Sequence, residues 1–183
     1  MTSEEPLTAR VQAEAEHLAE TYAGEKREQL PIYGYATTTS VFAAVFGTLL
    51  LRAAARGSLP KRIRAADILL LGIATHKLAR IVSRDFATIP LRFAFTRYEK
   101  NVGAGEVKET ARGSGLRRAV GDLLSCQFCT GPWIASTLTA LLIARPRVAR
   151  TVSSVLAMVT VSDFLHHVYA YMKVAPTRAS SPA

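Results

Sequence analysis

Cys126 and Cys129, separated by two residues, are the only thiols in the 183-residue chain. At that spacing they can close a small disulfide, and a helix start beneath them would stabilise a thiolate, which is how dithiol redox centres are built. The same pair supplies two of the four ligands of a tetrahedral zinc site, with His76, His166 and His167 as candidates for the remainder. Simple packing at a helix junction is the third outcome, and no cofactor is identified. A second group lies near the C-terminus. Asp163 stands three and four residues before His166 and His167, so its carboxylate can meet either imidazole on one helix face. A proton relay, a quinone-facing site or a metal site would use such groups. So would a helix end that has reached water, the reading favoured by Tyr169 and Tyr171 just beyond. Arg84 and Asp85, followed by Thr88, Pro90 and Arg92, fit a sharp helix exit capped by Asp85, with Arg84 or Arg92 within reach of Asp122 or Asp163.

These side chains must be held by apolar helices. Gly115–Phe128 carries Leu116, Ala119, Val120, Leu123, Leu124 and Phe128 at helical spacing, opposite Arg117, Arg118, Asp122 and Ser125. That pattern predicts a basic amphipathic helix at a water–apolar boundary. Thr130 reads as the N-cap of the next helix, Pro132 as part of its first turn, and Trp133 as an indole at a membrane interface. Four stretches, 33–51, 65–82, 129–144 and 148–172, are apolar enough and about long enough to cross a bilayer. The first has no charge. The second opens on Asp67, which opposes the positive helix start, and is interrupted by His76, Lys77 and Arg80, expected to snorkel to the far interface. The expected fold class is all-α: a small polytopic membrane protein of about four transmembrane helices with an interfacial amphipathic helix.

Around the membrane domain of 31–175 lie an acidic arm over 1–30 and a tail over 176–183, rich in Ser, Pro and Ala and expected to be disordered. The arm places Leu7, Val11, Leu18 and Tyr22 on one helical stripe. The segment 83–128 is read as interfacial. It interleaves Phe86, Phe93, Phe95 and Tyr98 with Arg84, Arg92, Arg97 and Lys100, and Arg117 and Arg118 follow. Arg84, Arg92, Arg97, Arg117 and Arg118 form the expected lipid or partner surface, rings at the boundary and cations toward phosphate. A small cap on the helix ends with internal Arg–acid pairs is the alternative. The net charge of +9 fits an anionic bilayer surface; no nucleic-acid module motif accompanies it, so nucleic acid is not expected as a partner. The first thirty residues lack an apolar h-region, so no signal peptide is read, and two cysteines exclude a disulfide scaffold.

HKLARIVSRD (76–85), PLRFAFTRYE (90–99), GEVKE (105–109) and GLRRAVGDLLSCQFCTGPWIA (115–135) resemble a bacterial integral-membrane family known as domain of unknown function (DUF) 1360. The resemblance covers about residues 64–172. Its most recognisable part is Cys126, Cys129, Gly131 and Trp133; Gln127 stands where Pro is expected, which loosens any analogy to thioredoxin-type centres. It implies a bacterial cell-membrane location, with some members associated with sporulation, and supplies no activity.

The expected function is that of a non-enzymatic membrane scaffold or partner-binding protein, contacting anionic head groups and a protein partner or second copy. The alternative is a membrane thiol–disulfide oxidoreductase on Cys126 and Cys129, or a metal-binding membrane protein. Quinone-coupled disulfide enzymes generally use a second cysteine pair, which this chain lacks. With four crossings, the termini and central segment share one side. It carries three Lys and Arg in the arm, ten from Lys77 to Arg118 and two in the tail, against eight in the two short connectors. The total places the central segment and termini in the cytoplasm; the acid-free density of the connectors argues the reverse.

Overall fold

The computed structural model describes residues 7–24 and 30–179. Four long helices dominate it: α2 (Ile32–Ala55), α3 (Ala65–Arg84), α6 (Gln127–Ala144) and α7 (Pro146–Ala179). The chain from Ile32 to Leu51 has no charge, and Thr37 and Thr38 turn their hydroxyls back on Tyr33 O (2.8 Å) and Tyr35 O (2.9 Å). These internal bonds let α2 present an almost wholly apolar exterior. Three helices, Ile32–Ala55, Gln127–Ala144 and Pro146–Lys173, are long and apolar enough to cross a membrane by length and composition. The second expected crossing, α3, is not among them, because Asp67, Lys77 and Arg80 interrupt it.

The core is where α3, α6 and α7 meet, on Leu71, Ala74, Leu138, Leu142 and Ala149, with Ile134, Leu141 and Leu156 packed around it. Ala74 and Ala149 are fully buried, since methyl side chains let the helices approach closely. At one end of this core, Arg150 grips Asp67 through two hydrogen bonds of 2.8 and 3.0 Å, beside Leu142. At the other, Ser83 Oγ of α3 lies 3.1 Å from Thr130 Oγ1 of α6. α3 therefore runs parallel to α7 and antiparallel to α6, and spans the same depth as α6. Asp67 does more than oppose a helix dipole: Arg64 also binds it, at 3.0 and 3.2 Å. The outward faces are apolar, with Leu49, Leu50, Leu51, Ile68, Leu69, Met158 and Leu165 exposed.

The all-α expectation is corrected between 83 and 128, which folds into a cap on the helix ends. After α3 come a 3₁₀ turn (Phe86–Thr88), a short helix α4 (Ile89–Arg92) and an antiparallel hairpin, β1 (Thr96–Gly103) and β2 (Glu106–Ala111). The strands form because Gly103, Ala104 and Gly105 adopt positive φ at the tip and β-formers Thr96, Tyr98, Val102, Val107 and Thr110 flank it. On exposed β1–β2 ground, Lys108 pairs with Glu99 at 2.9 Å and holds its carboxyl below the usual carboxylate range.

The amphipathic helix α5 (Gly115–Ser125) stops short of Phe128 and docks between α2 and β2. Gly34 permits the first contact, for a Cβ there would lie 2.8 Å from Ala119 Cβ and from Gly115 O. Tyr35 Oη then donates to Asp122 Oδ2 at 2.8 Å. The arm forms α1 (Leu7–Ala23), leaving Leu7, Val11, Leu18 and Tyr22 exposed. Residues 1–6 and 25–29 of the expected arm and residues 180–183 of the expected tail lie outside the described residues; α7 runs on to Ala179.

Candidate functional site

The residues singled out for chemistry gather at the hairpin end of the bundle, where the start of α6, the end of α3 and the middle of α7 converge. Cys126, not Thr130, is the N-cap of α6, because its Sγ accepts the Cys129 N–H at 3.2 Å. The helix consequently begins four residues earlier than Thr130 would place it, and Pro132 sits inside it rather than in its first turn. Cys126 and Cys129 are joined in a disulfide, with their Cα atoms 5.2 Å apart. Thr130 is buried and bonds Ser83 across to α3. Trp133 packs edge-on against Phe42 and Phe46 of α2, with centroids 5.1 and 6.0 Å away.

Behind the disulfide, a polar cavity of about 530 Å³ opens between α3, α7 and the hairpin tip. Asp163 faces it, but its partners are not the neighbouring histidines. Lys77 Nζ donates to Asp163 Oδ2 at 2.6 Å and Arg80 Nη1 to the same oxygen at 2.9 Å. Arg80 Nε in turn donates to Glu106 Oε1, anchoring the hairpin to α3. Lys77 thus does not snorkel: it is 7% exposed, because a carboxylate from α7 meets it inside the bundle. Two cations and two carboxylates cancel, so the cluster ties three elements together without surplus charge. His76 and His167 lie on the cavity wall, and Gln127, between the cysteines, joins them; His166 does not line it. Among the described residues, no three His, Cys, Asp or Glu side chains are grouped to hold a metal ion, so Cys126, Cys129, His76, His166 and His167 do not assemble into one site.

The expected surface arginines divide. Arg92 is fully buried, a correction that follows from its acceptors. Its guanidinium donates to Glu109 Oε2, Val82 O (2.8 Å), Thr88 Oγ1 (2.6 Å) and Asp85 O (2.8 Å), fastening the exit of α3 to β2. The sharp exit is real; Arg92, rather than Asp85, secures it, and it reaches neither Asp122 nor Asp163. Arg117 is exposed and donates twice to Ala94 O, at 3.0 and 2.7 Å, while Arg118 pairs with Asp122 at 3.3 Å. Arg97 is exposed and Arg84 lines the cavity. Leu91, Phe93 and Tyr98 stand exposed beside these cations. Glu106 and Glu109 were missed as partners; the available signal was that charges inside an apolar helix must be paired.

Residues 70–169 match the family described as Protein of unknown function (DUF1360). The Sporulation protein YjcA of Bacillus subtilis (strain 168) is 34% identical over 99 residues, which cover 52% of this chain and 84% of that relative. No solved structure matches. The matched residues contain the charge cluster, the hairpin, α5 and the disulfide, whereas α2 precedes them.

Proposed function

We propose that this chain, which belongs to the DUF1360 family of proteins of unknown function, is an integral membrane scaffold whose helices α2, α3, α6 and α7 cross the bilayer and present the hairpin and α5 to a protein partner. The observation that carries this reading is the inside-out polarity of α3. Its Ile68 and Leu69 face outward, while Asp67, Lys77 and Arg80 turn inward onto Arg150, Asp163 and Glu106. In water exposed charges cost little; in hydrocarbon they must be paired, and these are. At 20 residues α3 is about 30 Å long, matching the hydrocarbon thickness. Because α3 is coextensive with α6, a bilayer that accepts one accepts both.

The partner surface is the rim of Leu91, Phe93, Tyr98, Arg97 and Arg117, aromatic and cationic as contact surfaces tend to be. The relative's printed name supports a setting in sporulation. A photo-reactive side chain in place of Tyr98, activated in native membranes, is expected to capture a discrete protein. Adducts to lipid alone would contradict the scaffold reading.

A second reading rests on the disulfide. A cytosolic pair would be kept reduced, so a Cys126–Cys129 bond that persisted in cells would argue for the hairpin end outside and the acid-free connectors in the cytoplasm, the reverse of the orientation that total charge favours. A thiol oxidoreductase would cycle this bond. Labelling with a membrane-impermeant thiol reagent, with and without prior reduction, reads both points. Thiols free in every condition and protected until permeabilisation would defeat the redox reading and restore the cytoplasmic orientation.

A further inference from the structure

At the opposite end of the bundle, α2 and α6 diverge. The Phe42–Phe46–Trp133 cluster props them apart near the start of α6. Beyond it α6 offers Ala135, Ser136, Thr139 and Ala140, a run of small side chains that would normally draw two helices together, before Ile143 and Ala144 at its end. Here the wedge prevents closure and leaves a groove of about 620 Å³, walled on the α2 side by Phe46, Leu49 and Leu50. From Ala135 to Ala144 it is about 14 Å long, close to the depth of one leaflet. Arg52, in the last turn of α2, and Arg56, its C-cap, line its mouth. Asp67, at this end of the bundle, is already held by Arg64 and Arg150, and among the described residues neither groove arginine forms an ion pair with a carboxylate.

We propose that this groove binds one anionic phospholipid, its acyl chain between α2 and α6 and its phosphate on Arg52 and Arg56. An apolar slot of single-leaflet depth ending in two guanidiniums that meet no carboxylate among the described residues matches that amphiphile at both ends. A neutral lipid would fill the slot and leave the cations unpaired. The site rests on the membrane-spanning reading and adds to it a specific ligand class.

Trp133 is the single tryptophan and touches Phe46 at the deep end of the groove, so its fluorescence reports occupancy. The protein is reconstituted in phosphatidylcholine vesicles containing increasing fractions of phosphatidylglycerol brominated near the chain end, or of phosphatidylcholine brominated likewise. Half-maximal quenching is expected at a lower fraction of the brominated anionic lipid, by about fivefold for each arginine. Arg52→Gln with Arg56→Gln should abolish that preference while leaving bulk quenching in place. Ala140→Leu, which fills the slot, should weaken quenching by the anionic lipid specifically. Equal quenching of the wild type by both lipids overturns the site and leaves the membrane reading standing. No quenching by either overturns both.

Discussion

Arg92 carries the clearest residue-scale consequence. With its side chain inaccessible and its donors distributed over Glu109, Val82, Thr88 and Asp85, replacing it by Met strands a buried carboxylate and three further oxygens. Arg92→Met is expected to cost about 3–5 kcal/mol, read by denaturation in detergent, whereas exposed Arg97→Met should stay within about 0.5 kcal/mol. The sequence does not separate these two arginines, since both stand among aromatics five residues apart. What separates them is Glu109, brought under Arg92 by a hairpin. Lys77 and Asp163 teach the same lesson: a charge inside an apolar run is legible, but its partner 86 residues away is not.

At the scale of elements, the long apolar helices were readable because composition alone makes them, and their bounds moved by four residues or fewer except at the end of α7, which runs to Ala179 instead of 172. The hairpin was not. Its turn glycines were visible, but beyond buried Thr96 both faces of β1 meet solvent, so apolar alternation is confined to Val107 and Ala111 of β2. The docking of α5 was equally hidden, because it depends on a missing side chain. Gly34→Ala would push a methyl into Ala119 and Gly115 and is expected to destabilise by about 1–3 kcal/mol. Gly47→Ala, on the same helix with nothing within 4 Å of the new methyl, should be neutral or stabilising by up to about 1 kcal/mol. Thermal unfolding of the two variants side by side checks the pair. Equal losses would mean that α2 does not rest on α5 through Gly34.

For the whole molecule, polarity is arranged with apolar side chains on the outside of the long helices and ion pairs within, capped at one end by the hairpin and α5. α3 is the element on which that arrangement depends, because its length suits a crossing and its charges do not unless they are internal. With α3 across the bilayer, the α2–α3 connector and the hairpin lie on opposite sides. With α3 flat on the surface, they share one. The direct measurement uses single cysteines at Lys61 and at Lys100, both exposed, in a chain carrying Cys126→Ser and Cys129→Ser. Labelled in intact cells with an impermeant thiol reagent, only one of the two positions should react, and the other only after permeabilisation. Equal labelling of both before permeabilisation, or protection of both until it, would place them on one side and contradict the account.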